Sequence, residues 1–541
     1  MILKRNVMKT SYEKCLEYFV EKFPMVRFFD YDNERLLVYD AKPNLIFLLD
    51  RNELPKLKDC LAEKYDNVKL PADVSDEFKK RVDILSARGV LDPGPLDSLV
   101  DSSTGSVKAK LDYYWSNVLM RKFVVEITER CNFRCKYCFN TLEPVFRHHT
   151  LKQMSIETAK KSIDFYMQMY TNFYNRLSDR NKQILLDNFA PCYGIYGGEP
   201  TMNWDVVVDS VNYYKSLDWE SRGIDKKYLE VTINTNLSNI NEEIISFLIE
   251  HNVLLFASLD GVKAEHDANR VDASGNGTFD LAYNNLMKIK NFNGEYFKEK
   301  VCILAVVDSV TGITDESKAF LKGIGCQLNI IDKGYKDCFV KNPELRIETI
   351  LEDGGEWVER IFNEAMELKD KDRDGCLDKL SDLYFLESVV TDTPLRKKKA
   401  NLFLSCPMGI DNIMVGAGGD LHICHKTDCS MPFGNIHTGI DIDRMVDIYQ
   451  RYMEATDNKE CRSCWMVRNC GVCAALRMKG NTFVNPTRKE CEYLRALNEL
   501  YFKLYVKVHK EEPALLDELF ERKKDVRFYK SIVDINEFNN R

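Results

Sequence analysis

The sequence predicts an α/β fold: a partial parallel (β/α)6 TIM barrel, with a winged-helix-like domain before it and a cysteine-rich domain after it. Three observations predict this. Between Phe123 and Ile331, six short apolar runs alternate with segments of helical period, the pattern of a parallel sheet with crossover helices. Ahead of them stand two short β runs and a pair of helices. Behind them, cysteines recur at intervals that suit metal ligation better than packing.

The N-terminal domain is placed at 1–110. It begins with a helix from Ser11 to Phe23, then β runs at Val26–Asp30 and Arg35–Tyr39 split by the turn Tyr31-Asp32-Asn33-Glu34. A helix from about Pro55 to Tyr65 follows. The next helix takes Ser75 as its N-cap, sets Phe78, Val82 and Leu85 on one face, and stops at Gly89. The polar stretch DSLVDSSTGSVKAK reads as a linker that ends the module.

The barrel is placed at 117–332. Its strands are expected at Phe123–Thr128, Tyr193–Tyr196, Leu229–Asn234, Val253–Leu259, Val301–Val307 and Gln327–Ile331. Helical segments lie near 156–175, 204–216, 241–251, 279–291 and 313–322. Such a barrel carries its active site at the C-terminal ends of its strands. A helical bridge at 333–400 has Trp357, Ile361 and Ala365 on one buried stripe. Within it, DKDRDG from Asp370 imitates a calcium loop, but position twelve is Ser381 instead of the bidentate Glu, so it reads as a solvated turn. RKKK at Arg396–Lys399 reads as an exposed loop. The cysteine-rich domain is placed at 401–495 and a helical tail at 496–541, with Leu494, Leu497, Tyr501, Leu504 and Val508 on one helix face.

Composition bounds the function. The 541 residues exceed what one core accommodates. A net charge of -8 argues against a general nucleic-acid coat. No apolar run approaches the roughly 18 residues of a membrane helix, and MILKRNVMKT lacks a signal-peptide core, so a cytoplasmic protein without a membrane partner is expected. Of 18 cysteines, Cys15, Cys60, Cys192 and Cys302 fall in helix or strand patterns as core fillers.

The chemistry concentrates in CNFRCKYC. Cys131, Cys135 and Cys138 follow the first barrel strand, with Tyr137 just before the last cysteine. Three thiolates can hold three irons of a cubane and leave the fourth iron open. A zinc knuckle normally takes four ligands in two pairs. The spacing, the aromatic and the preceding strand resemble the radical SAM enzymes, which implies the partial barrel and S-adenosylmethionine chelated by the open iron. It also implies release of a 5'-deoxyadenosyl radical. The resemblance extends to Gly197, Gly198, Glu199 and Pro200 after the second strand, implied to meet the SAM ammonium, with the glycines allowing close backbone approach. It places Ser258 of the SLDG run, which includes Asp260, near the ribose and Arg270 on the SAM carboxylate. Asn234 and Asn236 are polar-lining candidates.

A second field comprises Cys406, Cys424, Cys461, Cys464, Cys470, Cys473 and Cys491, with Gly419 five positions before Cys424. It resembles the SPASM domain of peptide-modifying radical SAM enzymes, which holds two auxiliary 4Fe-4S clusters, so three clusters in all are implied. Its interleaved pattern puts Cys406, Cys424 and Cys473 on the first auxiliary cluster and Cys461, Cys464, Cys470 and Cys491 on the second. The last pair is separated by two residues where the general pattern has three, as in the subgroup that forms thioethers. No cysteine shortly precedes Cys406, so the fourth ligand is Cys429, Cys376, Cys338 or Cys326, or the iron stays open to a substrate thiolate. A four-cysteine zinc site over 461–473 is the alternative for that segment.

ERLLVYDAKPNLIFLL and FKKRVDILSARGVLD look like the PqqD-like peptide-recognition domain of ribosomal-peptide maturases, which takes a leader peptide as an added strand. Together these resemblances imply a maturase that joins a cysteine sulfur to a carbon of another residue in a ribosomal precursor peptide. Electrons would come from a reductant such as a flavodoxin or ferredoxin. An anaerobic sulfatase maturase, a carbon-carbon crosslinking enzyme and a zinc-stabilised binding scaffold are the alternatives.

Overall fold

The computed structural model describes residues 11–97, 103–117, 120, 122–138, 149–307, 314–332, 343–386, 408–410, 412–427, 429–470 and 477–521. Helix α1 (Ser11–Lys22) leads into strands β1 (Val26–Asp30), β2 (Arg35–Asp40) and β3 (Leu45–Asp50). The three form an antiparallel sheet in the order β1-β2-β3. Helices α2 (Leu54–Asp66) and α3 (Asp76–Ala87) follow. Ser75 caps α3 by accepting from the Phe78 amide, as its residue type predicts. Phe78 and Val82 are buried and Leu85 packs beside them.

Two expectations for this region need correction. The third strand, β3, was not anticipated: LIFLL is a continuous apolar run without the alternation that marks a half-buried strand. The supposed linker includes helix α4 (Thr104–Asn117), whose Val107 and Leu111 are fully buried. Tertiary packing against the helix Ile442–Thr456 overrides its Ser, Thr and Gly content.

The central sheet has eight strands. Six are parallel neighbours in chain order: β4 (Lys122–Thr128), β5 (Cys192–Gly197), β6 (Glu230–Thr235), β7 (Leu254–Ser258), β8 (Val301–Val307) and β9 (Gln327–Asp332). Helices α5 (Ile156–Tyr174), α7 (Trp204–Ser216), α8 (Glu242–Glu250), α10 (Phe279–Phe292) and α12 (Asp315–Ile324) are the expected crossovers. Three short helices were missed: α6 (Asp179–Phe189), α9 (Lys263–Asn269) and α11 (Gly294–Lys300). This is a partial (β/α)6 barrel.

The sheet does not end where the barrel segment ends. β10 (Asn412–Val415) pairs in parallel with β4, matching Ile413 to Phe123, and β11 (Leu421–His422) pairs antiparallel with β10. Part of the cysteine-rich region is thus built onto the edge of the barrel at β4, the strand that delivers Cys131.

Burial alternates along the strands as the pleat demands. Val231, Ile233, Thr235, Leu255 and Ala257 are buried, whereas Thr232, Asn234, Phe256 and Ser258 are only partly covered. The partly covered set faces the barrel interior.

In the helix Pro343–Leu368, Val358, Phe362 and Ala365 are buried, and Trp357 and Ile361 flank that stripe. DKDRDG is a helix start: Asp372 accepts from the Gly375 amide at 3.0 Å, capping Arg373–Lys379. RKKK lies outside the described residues. The helix Arg488–Glu511 opens with a capping box between Thr487 and Glu490, and it runs through the expected 495/496 boundary. Leu494, Leu504 and Val508 are buried on it, with Leu497 and Tyr501 half-buried. Among the described residues no helix is long and apolar enough to cross a membrane.

Candidate active site

Cys131 stands three positions after the end of β4, where the chain leaves the C-terminal end of the sheet. Its sulfur accepts from the Phe133 amide at 3.4 Å and from the Asn236 side-chain amide at 3.8 Å. The Cys138 amide bonds back to the Cys135 carbonyl, closing a tight turn. Burial, against the lowering effect of the Phe133 amide and helped by the charge of Glu199, Cys135 and Cys138, pushes the Cys131 thiol up to about 12. Burial likewise pushes Cys135 up to about 11. Three close thiols in such surroundings become thiolates together only when a cation compensates them. The donor set therefore fits an iron-sulfur cluster.

Sequence reasoning missed His149. Its Nε2 lies 3.9 Å from Cys138 Sγ and its Nδ1 3.4 Å from the Glu129 carbonyl. Nothing in the local pattern marks it.

The glycines of Gly197–Pro200 bring the end of β5 against the cysteine loop. The Gly198 amide donates to Thr128 O at 2.8 Å and the Glu199 amide to Arg130 O at 2.7 Å. A Cβ on Gly198 would overlap the Arg130 carbonyl, and one on Gly197, at φ +144°, would overlap that of Thr128. The close approach is to the chain entering the cysteine loop. Pro200 opens a short 3-10 turn. Glu199 is fully buried, and its carboxylate accepts from Thr201 N (3.2 Å), Thr201 Oγ1 (2.7 Å), Thr235 Oγ1 (2.8 Å) and Asn236 N (2.7 Å). Burial raises its pKa while these donors pull it down.

Asp260 is the hub on the other side. It accepts from Tyr137 Oη at 2.5 Å, from Arg270 Nε at 2.9 Å and Nη2 at 3.0 Å, and from the Val306 amide at 2.9 Å. The guanidinium fork thus meets a carboxylate of the chain. His266 Nδ1 accepts from the Asp260 amide, while Thr278 donates its proton to Arg270 O. His266 Nε2 therefore donates to Thr278 Oγ1 at 3.1 Å, which fixes a neutral imidazole. Asn234 and Ser258 lie on the partly covered face near these groups. Asn236 is more than lining, since it also donates to Asn132 Oδ1 at 3.1 Å.

A second centre lies in the cysteine-rich region. Cys461, Cys464, Cys470 and Cys491 line one cavity of about 360 Å³, together with Met466, Val467, Leu494 and Arg495. Arg495 brings its positive charge beside Cys464 and Cys491. Burial raises Cys461 to about 11, with Cys464 and Cys491 adding to the rise. Among the described residues no three His, Cys, Asp or Glu side chains close on one metal-ion position. The four thiols surround a space wide enough for a polynuclear cluster, so the donor set fits that group.

The first auxiliary set is only partly described. Cys406, Cys473 and Cys338 lie outside the described residues. Cys424 is buried, and its sulfur accepts from the Lys426 amide and the Asn412 side chain, both at 3.4 Å. This repeats the pattern at Cys131: a backbone amide two residues on and an asparagine. Cys429 stands at φ +61°, a left-handed conformation unusual for a residue with a side chain. Cys376 is in the core and Cys326 lies beside Cys302. The His425 ring packs edge-on to Tyr196 of β5 at 5.5 Å, which brings the Cys424 turn against the barrel.

Residues 125–319 match the radical SAM superfamily. They form a radical SAM domain. A cysteine-type anaerobic sulfatase-maturating enzyme of Clostridium novyi is 27% identical over 259 residues, covering 48% of this chain and 58% of that protein. The radical SAM cyclopropyl synthase TigE of Paramaledivibacter caminithermalis is 25% identical over 146 residues, covering 26% of this chain and 27% of that one. The chain thus spans little more than half of the first relative and about a quarter of the second. The solved structure of native anSMEcpe with bound AdoMet and Cp18Cys peptide aligns with TM-score 0.47 at 16% identity, covering 74% of this chain and 99% of that one. Streptococcus suis SuiB bound to precursor peptide SuiA gives TM-score 0.40 at 13% identity over 86% and 98%.

Proposed function

We propose that this chain is a radical SAM maturase of a ribosomal precursor peptide that forms a thioether between a cysteine sulfur and a carbon of another residue. The observation that carries the reading is the pairing of a three-cysteine loop at the barrel mouth with a separate cavity lined by Cys461, Cys464, Cys470 and Cys491. Cys131, Cys135 and Cys138 would hold the active cluster. Cys406, Cys424 and Cys473, with Cys429 or a substrate thiolate, would hold the first auxiliary cluster, and the cavity cysteines the second. When bound, the cluster and SAM supply a carbon radical that removes an unactivated hydrogen.

The remaining roles belong to the chain. Gly197 to Pro200 pin the cysteine loop to β5, and the buried Glu199 fixes the ends of β5 and β6. Asn234 and Ser258 offer polar contacts to a nucleoside on the partly covered face. The Cys424 turn, against Tyr196, brings the first auxiliary site beside that face. The N-terminal module would recruit the leader peptide: β3 has one strand neighbour among the described residues, and its Leu48 is exposed, which supports strand addition at that edge. A flavodoxin or ferredoxin in the cytoplasm would deliver the electrons.

Formylglycine formation is the second reading, favoured by the likeness to the sulfatase-maturating enzyme. Mass spectrometry of a cysteine-containing precursor, after incubation with SAM and a one-electron reductant, separates the two. A thioether loses two hydrogens, keeps its sulfur and resists alkylation. Formylglycine made from cysteine loses the sulfur. A crosslink between carbons loses two hydrogens but leaves the cysteine open to alkylation.

A further inference from the structure

Two backbone hydrogen bonds hold residues 269–271 against the cysteine loop: Lys136 N to Asn269 O at 2.9 Å and Arg134 N to Val271 O at 2.7 Å. They lie on either side of Cys135 and of Arg270, so those two residues stand opposite one another. A bridge between Phe133 and Asp272 continues the pairing. Arg270 is buried, and its guanidinium carbon lies 5.3 Å from the centre of the Tyr137 ring. Nε and Nη2 are committed to Asp260, and the backbone pairing sets this residue opposite Cys135, whose thiol lies within reach of the guanidinium charge. Asp260 is fixed in turn by Tyr137 and by the Val306 amide of β8.

We infer that Arg270 is a positioning residue of the cysteine loop: Asp260 and Tyr137 hold its guanidinium opposite Cys135, where its charge sets the reduction potential of the cluster that this thiolate ligates. The inference rests on the reading of the loop as a cluster site. It departs from the expectation that Arg270 anchors the SAM carboxylate, because two of its nitrogens and one of its faces are already engaged. Hydrogen bonds to cluster sulfurs and nearby charge are the means by which a protein tunes such a potential. A cation beside a ligand stabilises the reduced state, and the Asp260 carboxylate partly offsets it.

The test is a redox titration of the full-length, anaerobically reconstituted chain, following the paramagnetic signal that disappears when Cys131, Cys135 and Cys138 are all replaced by Ala. Arg270→Gln is expected to move that potential to more negative values and Asp260→Asn to less negative ones. Arg270→Lys, which keeps the charge, stays near wild type. SAM affinity of Arg270→Gln, from equilibrium binding, stays within about twofold. Two results overturn the inference: shifts of the same sign in Arg270→Gln and Asp260→Asn, or an unmoved potential with SAM affinity down about tenfold or more. If Arg270→Gln retains no iron, an Asp260→Asn potential equal to wild type overturns it instead. A wild-type chain with no signal that the triple replacement removes refutes the cluster reading itself, and is recognised before any Arg270 variant is made.

Discussion

The ring of Phe29 on β1 stacks on that of Phe502 in the C-terminal helix, with centroids 4.8 Å apart and planes within 8°. Tyr39 stacks on the same Phe502 ring at 5.1 Å, and Arg27 lies over Trp465. Arg468 donates to the carbonyls of Ala41 and Lys42. The N-terminal sheet is therefore docked on the C-terminal helix and on Trp465 and Arg468, which lie between Cys464 and Cys470. Phe502→Ala should cost about 3–5 kcal/mol at this joint. The expected outcome is a separate, earlier thermal transition and faster proteolysis near residue 97, without loss of the central sheet.

Gly198→Ala tests the coupling of Gly197–Pro200 to the cysteine loop. The added methyl must displace the Arg130 carbonyl, one residue from Cys131. Iron analysis should show roughly four irons missing of roughly twelve, with the cavity cluster retained. An iron content equal to wild type would contradict the coupling.

His266 makes stability depend on pH. Burial and the Arg270 charge lower its pKa from 6.5 to about 4. Between those values the unfolded chain binds the proton that the folded chain refuses, so stability is full above pH 6.5 and declines as pH falls toward 4. The loss is on the order of 3 kcal/mol. In His266→Gln, measured by denaturant unfolding against wild type, this slope should flatten.

Leader recognition by the N-terminal module predicts that binding depends on the peptide backbone. A precursor N-methylated at alternate leader residues should lose affinity, while reductive SAM cleavage without peptide proceeds unchanged. Equal binding of the methylated and unmethylated leaders would exclude strand addition at β3.

Much of this was legible in the chain because it is local. Ser75 announces α3, and Val301–Val307 is bounded as the apolar run suggests. The six barrel strands are short, apolar and separated by helical periods, so their order needed no long-range information. What was missed is non-local. β10 pairs with β4 across the rest of the barrel and the helical bridge beyond it, and β11 has only two residues, too few to carry a pattern. α4 is helical because Val107 and Leu111 find a core, which composition does not reveal. At the site, the spacing of the cysteines was readable, but the partners of side chains were not. The Arg270 fork meets Asp260, and the glycines before Glu199 make room for Arg130, since both contacts depend on how loops meet above the sheet.

The central claim is that Cys131, Cys135 and Cys138 hold the cluster that cleaves SAM. The most direct measurement is 5'-deoxyadenosine formed by the reconstituted chain under a strong one-electron reductant, compared with the variant in which all three cysteines are Ala. The account predicts production by the wild type and none by the variant, which should still carry the iron bound by Cys461, Cys464, Cys470 and Cys491. Continued 5'-deoxyadenosine production by the variant would contradict it.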